Sequence, residues 1–174
     1  FVIPAITMRL ISEELNVGSD EILLTMPVTA RDVILGKFLA SLAMVVAMLI
    51  PTFAYPLTVS LMGQLDWGPV IGGYIGAILL GAAFSAVGLF SSALTRNQII
   101  AFIIGLAICF ALTLIDKLLY FLPRSLLGIF AYLGADFHFQ NIAKGIIDSR
   151  DILYFVSVCF IGLYAAYLAL RAKQ

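Results

Sequence analysis

The chain has 174 residues, of which 63% are hydrophobic and 11% are charged, and its mean hydropathy is +1.11. Soluble domains are about 45–50% apolar and about 25% charged, so too little polar surface remains here to cover a water-soluble globule. Ten acidic residues balance ten Lys and Arg, and no basic stripe or acidic tail stands out, which argues against nucleic acid as a partner.

These bounds predict an all-α, polytopic membrane protein: one transmembrane domain over residues 1–174, with four full spans and the end of a preceding one. The opening run, Phe1 to Met8, is apolar and reads as the last turns of an earlier helix. It has neither the basic n-region nor the small-residue cleavage site of a signal peptide. The expectation is a fragment with further spans upstream.

Residues 9–37 form a long, charged, patterned loop. A helix is expected to continue through Arg9 to about Val17, and Gly18 is placed to end it, since glycine accepts the left-handed conformation at C′. Ser19 caps a new helix, with Asp20 and Glu21 favoured by the dipole in its first turn. Ile22, Leu23, Leu24 and Met26 make its apolar side and Pro27 stops it. Thr29 is a further N-cap, with Asp32 at capping-box spacing, and from Ala30 the chain runs as helix into the membrane. Water does not stabilise so short a helix in isolation, so something must pack on Leu23, Leu24 and Met26. Two readings stay open: the lipid interface with neighbouring helices, or a soluble partner.

A helix crossing the hydrocarbon core needs about 20 apolar residues. Four stretches qualify: residues 38–62, 70–94, 99 to about 122, and 152–170. Neither 38–65 nor 70–95 contains a charge, which is informative because a charge at a helix centre costs about 2.5–3.5 kcal/mol on insertion scales. Pro51 and Pro56 predict a kink in the first span. In the second, Gly72 and Gly76, Gly81 and Ser85, and Gly88 and Ser92 repeat a small-xxx-small spacing that lets helix backbones approach closely. That face serves either ordinary bundle packing or a seam against a second subunit. Asp116-Lys117 reads as an interfacial helix end. The connections 63–69 and 95–97 are short turns, whereas residues 123–150 are long and semi-apolar, and are expected to form short re-entrant helices on the outer side. With residues 9–37 inside, Arg9, Arg31, Lys37, Arg96, Arg171 and Lys173 lie inside and Lys117, Arg124, Lys144 and Arg150 outside, in the sense of the positive-inside rule.

The residue types of catalysis are sparse. Cys109 and Cys159 lie in apolar runs and read as small buried hydrophobes. His138, the one histidine, falls in an outer loop and reads as an interfacial residue; Asp136 lies nearby, with no third partner in sight. Ser85, Ser91 and Ser92 have no base in their span. A membrane-embedded enzyme would need clustered polar groups at depth. A secondary transporter or channel would place ionisable groups near the midplane, and the spans show none there.

The stretch from Pro4 to Leu39 resembles the loop of type-2 ABC exporter permeases, in the branch of gliding-motility-associated and nitrous-oxide-reductase-maturation permeases. The resemblance rests on Pro4, Thr7, Met8, Arg9, Glu13, Glu14, Gly18, Ser19, Glu21, Leu23, Leu24, Thr25, Pro27, Gly36 and Lys37, and later on 137–139, 143–148 and 150–154. It implies a six-span, multi-pass permease of the bacterial inner (plasma) membrane. Two copies, identical or paralogous, would pair with two ABC ATPase subunits, and membrane lipid would surround them. Residues 9–37 would carry a coupling helix: Glu13, Glu14, Asp20 and Glu21 would meet the ATPase or position the loop, and Leu23, Leu24, Met26 and Pro27 would fill its groove. ATP would be bound by the partner, and this non-catalytic chain would hold no cofactor. In keeping with that, it lacks the glycine-rich phosphate loop of ATPases.

Overall fold

The computed structural model describes residues 1–17, 29–118, 134–146 and 148–172, leaving the side chain of Asp116 undescribed. Among these residues the elements are all helical: α1 (Val2–Thr7), α2 (Arg9–Val17), α3 (Ala30–Leu49), a 3-10 turn (Pro51–Phe53), α4 (Ala54–Met62), α5 (Trp67–Leu94), α6 (Gln98–Leu118), α7 (Ala135–Ala143) and α8 (Ser149–Arg171). Four segments are long and apolar enough to cross a membrane: Ala30–Met62, Trp67–Leu94, Gln98–Ile115 and Ser149–Arg171. The architecture is therefore an all-α, polytopic membrane protein.

Local chemistry sets most boundaries. At the start of α3 the Thr29 hydroxyl accepts from the Asp32 amide, and the Asp32 carboxylate accepts from the Thr29 amide at 3.2 Å, the reciprocal pairing of a capping box. Pro51 has no amide hydrogen to continue the ladder, and the chain passes through the 3-10 turn before α4 resumes. Asp66 caps α5 by accepting from Gly68 N at 3.0 Å. Asn97 accepts from Ile99 N at 2.9 Å at the head of α6, which makes the three-residue turn between α5 and α6 possible.

The helix expected to run unbroken through Arg9 is interrupted at Met8. The Ser12 hydroxyl, one turn on, and the Ser92 hydroxyl from α5 both donate to the Met8 carbonyl, the latter at 2.9 Å. Side chains inserted at a helical carbonyl are a regular cause of such breaks.

Helix α5 is the centre of the bundle, packed by α1, α2, α3, α6, α7 and α8. Different neighbours meet it at different small residues. Val45 of α3 lies against Gly81, Thr7 of α1 against Gly88, and Phe139 of α7 against Gly76, while Gly162 of α8 crosses at Ala86. Ser91 faces Gly105 of α6. Without a hydrophobic driving force between helices in lipid, such close approach is what dispersion and packing reward. At Gly72 the close neighbour is backbone rather than a side chain: a Cβ there would stand 2.2 Å from the Ile142 carbonyl oxygen. Gly72→Ala is therefore expected to destabilise the fold by about 1–3 kcal/mol through overpacking. Gly73→Ala, next to it with open space around its Cβ position, should stay within about 1 kcal/mol of the parent. Unfolding midpoints of the two variants in detergent check the contrast.

Candidate functional site

Two polar constructions stand at opposite ends of the α5 hub. The first ties α2 to the bundle. The opening amides of a helix have no partner within it, and here the Ser92 hydroxyl of α5 accepts from Ile11 N at 3.1 Å and Ser12 N at 2.9 Å while donating to Met8 O. Ser92 thus performs an N-cap for α2 from another helix, 80 residues on. Ile11 and Leu15 on the buried face of α2 join Ile34 of α3, Leu89 and Ala93 of α5 and Ala166 of α8 in one apolar cluster.

On the opposite flank of α2, Lys37 of α3 reaches back. Its ammonium pairs with Glu14 at 2.5 Å and donates to the Leu10 carbonyl. The Lys37 side chain is only 16% exposed, so its aliphatic stem is packed and its head directed at polar atoms, the habit of long cations near helix ends. The α2 arm of the 9–37 segment is thus fixed to the α5 hub by Ser92, while the α3 arm is tied to α2 by Lys37 and closed by its own Thr29 cap.

Of the residues expected to face a partner, Glu14 is engaged by Lys37 inside the chain and Glu13 is exposed. Asp20, Glu21, Leu23, Leu24, Met26 and Pro27, with the Gly18 stop and the Ser19 cap, lie outside the described residues. The packing residues Gly72, Gly76, Gly81 and Gly88 are met by α7, α3 and α1, and Ser92 by the α1–α2 break. Ser85 is buried, and its hydroxyl has no hydrogen-bond partner among the described residues.

The second construction is at the α7 end. The expectation of an interfacial His138 is overturned: the side chains of His138 and Asp151 are 3% and 4% exposed, and His138 Nδ1 stands 2.6 Å from Asp151 Oδ1. The imidazole stacks on Tyr154 at 4.2 Å between centroids, and Phe137 and Phe155 meet it edge-on. Asp151 sits in the first turn of α8, where the helix dipole favours a negative charge. Its other oxygen, Oδ2, is buried with no hydrogen-bond partner among the described residues. Asp136 is not the partner of His138; it accepts from Lys117 at the end of α6 at 2.9 Å and from Gln140 at 2.9 Å. The Lys117 side chain is 65% exposed, so this pair is a solvent-screened clasp of small energetic weight.

Helix α7 itself lies along the first half of α5, with Phe139 and Ile142 at Gly76 and Gly145 at Gly68. Gly145 has φ +83°, a left-handed conformation that suits glycine, and turns the chain towards α8. Residues 119–133, including the end expected for the third span and the first part of the outer segment, lie outside the described residues.

Sequence reading missed Ser92 as a cap and the His138–Asp151 pair. For the first, no local signal exists, because the partner amides are 80 residues away. For the second, a signal was available: an acidic residue opening an otherwise uncharged span, 13 positions after the one histidine.

A family model described as ABC-2 family transporter protein matches residues 1–141. No curated protein matches the chain. The match covers α1 to α7 almost entirely, with three of the four spans, the whole of the first polar construction and His138 of the second, and ends before α8. This multi-pass membrane chain therefore belongs to the ABC-2 transporter family, as a permease of the ABC type, a class that works with an ABC ATPase.

Proposed function

We propose that this chain is the membrane subunit of an ATP-driven exporter of the bacterial inner membrane, with residues 9–37 on the cytosolic side and residues 19–27 docked in a groove of a separate ATPase subunit. Two permease copies, each held by lipid and by the other, would flank the translocation path. ATP binds and is hydrolysed on the partner, and this chain converts closure of that partner into movement of its helices.

The observation that carries the reading is the double anchoring of the 9–37 segment. A force applied between Val17 and Thr29 enters a rigid connection on both sides: through Ser92 into α5, and through Lys37 and the Thr29–Asp32 cap into α3. Since α5 touches nearly every other described helix, displacement of α2 would be passed to the whole bundle. Glu13, exposed beside the segment, is available to a basic patch on the partner, while Glu14 serves the internal anchor. The proposed outer end, residues 123–150, would close the path on the far side of the bilayer.

The test is co-purification. The intact permease, expressed with its ATPase, should come out as a complex, and Leu23→Asp with Leu24→Asp should abolish that complex while the permease still folds and inserts. Retention of the ATPase by the double variant would remove the docking assignment.

One observation favours a second reading. A secondary transporter or channel subunit, working without an ATPase, places ionisable groups inside its bundle, and His138 with Asp151 is such a buried pair. Reconstituted vesicles separate the two: uptake or efflux that follows ATP supports the exporter, and flux that follows a proton gradient with no nucleotide supports the alternative.

A further inference from the structure

An apolar groove of about 340 Å³ runs between α3 and α8 on the outside of the bundle, walled by Ile34 and Leu35 on one side and Phe160 and Leu163 on the other. It is continuous, through Arg31 and Tyr167, with a second hollow bounded by Thr29 and Arg171. The Arg31 guanidinium lies 5.2 Å from the centre of the Tyr167 ring, a cation–π contact that holds the charge at the mouth of the groove. Arg31 has no carboxylate partner among the described residues: its neighbour Asp32 is turned into the Thr29 cap, accepting from the Thr29 hydroxyl at 2.6 Å. Arg171, in the last turn of α8, likewise has no ion pair among the described residues. Two cations without an ion pair among the described residues therefore crown a greasy channel at the end of two membrane-spanning helices.

We propose that this groove binds one anionic phospholipid, with its phosphate between Arg31 and Arg171 and an acyl chain along Leu35, Phe160 and Leu163. Charge complementarity selects the occupant. Zwitterionic lipid offers the same hydrocarbon but a headgroup whose own ammonium opposes the arginines, and a protein helix carrying no acid would leave both guanidinium groups unneutralised. Basic pockets between transmembrane helices are regular headgroup sites. Guanidinium also matches phosphate oxygens in a two-pronged fashion. The site requires only the membrane placement of the chain and not the ATPase assignment. Since the lipid would bridge α3 to α8 at the end where α2 is anchored, its presence would stiffen that end of the bundle.

The test uses the permease, with whatever partners co-purify, in nanodiscs of phosphatidylglycerol and phosphatidylethanolamine. Native mass spectrometry then reads the lipid retained after delipidation. The parent protein should keep phosphatidylglycerol preferentially. Each of Arg31→Gln and Arg171→Gln should lower that retention about fivefold, and the pair about twenty-five-fold, with phosphatidylethanolamine unaffected. Leu35→Trp, which fills the groove and keeps both charges, should also lower retention of phosphatidylglycerol. In the unaltered protein, a photoactivatable phosphatidylglycerol should label peptides of α3 and α8, a readout that needs no variant to fold. Unchanged retention in the double variant, equal loss of both lipids, labelling confined to other helices, or dissociation of a permease dimer with no change in bound lipid would each overturn the proposal.

Discussion

His138→Leu is expected to destabilise the folded bundle by about 3–5 kcal/mol, because it leaves the Asp151 carboxylate buried without its partner. In the native protein Oδ1 of Asp151 has His138 Nδ1 at 2.6 Å, and Oδ2 already has no hydrogen-bond partner among the described residues. Removing the imidazole strips the carboxylate of its remaining identified neighbour of opposite polarity in a site walled by Tyr154 and Phe155. Asp151→Ala should cost less, about 1–3 kcal/mol, since the imidazole loses an acceptor at Nδ1 but is able to lie neutral against the aromatic rings. The double replacement His138→Leu with Asp151→Leu should recover most of the loss, because an apolar pair of similar volume in a hydrophobic site is often as stable as the buried polar pair it replaces. Midpoints of thermal or detergent-induced unfolding for the four proteins form a double-mutant cycle. Additive costs in the double variant would show that the two groups act independently.

The pair also explains how α7 is held. Helix α7 is only nine residues long and would not persist alone. Its buried face meets α5 at Gly72 and Gly76, its Asp136 is clasped by Lys117 of α6, and its His138 is paired to α8. Three helices thus fix one short segment by three different means. The turn at Gly145 lets the chain leave that position and enter α8 under the Asp148 cap, which accepts from Arg150 N at 3.0 Å.

What the sequence disclosed and what it hid divide along a physical line. The spans were legible because hydrocarbon penalises charge so heavily that an uncharged stretch such as 70–95 has few other uses. The Thr29–Asp32 cap and the break at Pro51 were legible because the groups responsible sit within three or four residues of the effect. The small face of α5 was visible as a face, but its neighbours were not: nothing in the spacing of Gly72 and Gly88 says that one meets α7 and the other α1. The break at Met8 was hidden for the same reason, since half its cause is a hydroxyl 84 residues away. His138 was misplaced because a histidine between apolar residues in a loop-like stretch looks interfacial until its acid, on a different helix, is brought beside it.

Ser92→Ala carries the second large effect. The hydroxyl it removes serves three backbone groups at once, accepting from Ile11 N and Ser12 N and donating to Met8 O. Met8 O retains the Ser12 hydroxyl, but the two amides lie at a buried helix start, and a buried donor left unsatisfied costs about 1–3 kcal/mol. Neighbouring Ser91 supplies the control. It is equally buried, yet its hydroxyl donates at 2.8 Å to Gly88 O of its own helix, so Ser91→Ala orphans no amide and should shift the unfolding midpoint much less. The functional consequence separates anchoring from docking. With Ser92 gone, residues 18–28 and any ATPase surface they meet are chemically unchanged, so an ATPase complex should still form. The α2 side of the connection to α5 is loosened, however, so less transport should be obtained per ATP hydrolysed. Reconstituted vesicles in which ATP turnover and substrate flux are measured together give that ratio. A Ser92→Ala protein that loses the ATPase altogether would mean that the serine shapes the docking surface itself, and one that keeps the parent ratio would mean that α2 is not the route by which the stroke reaches α5.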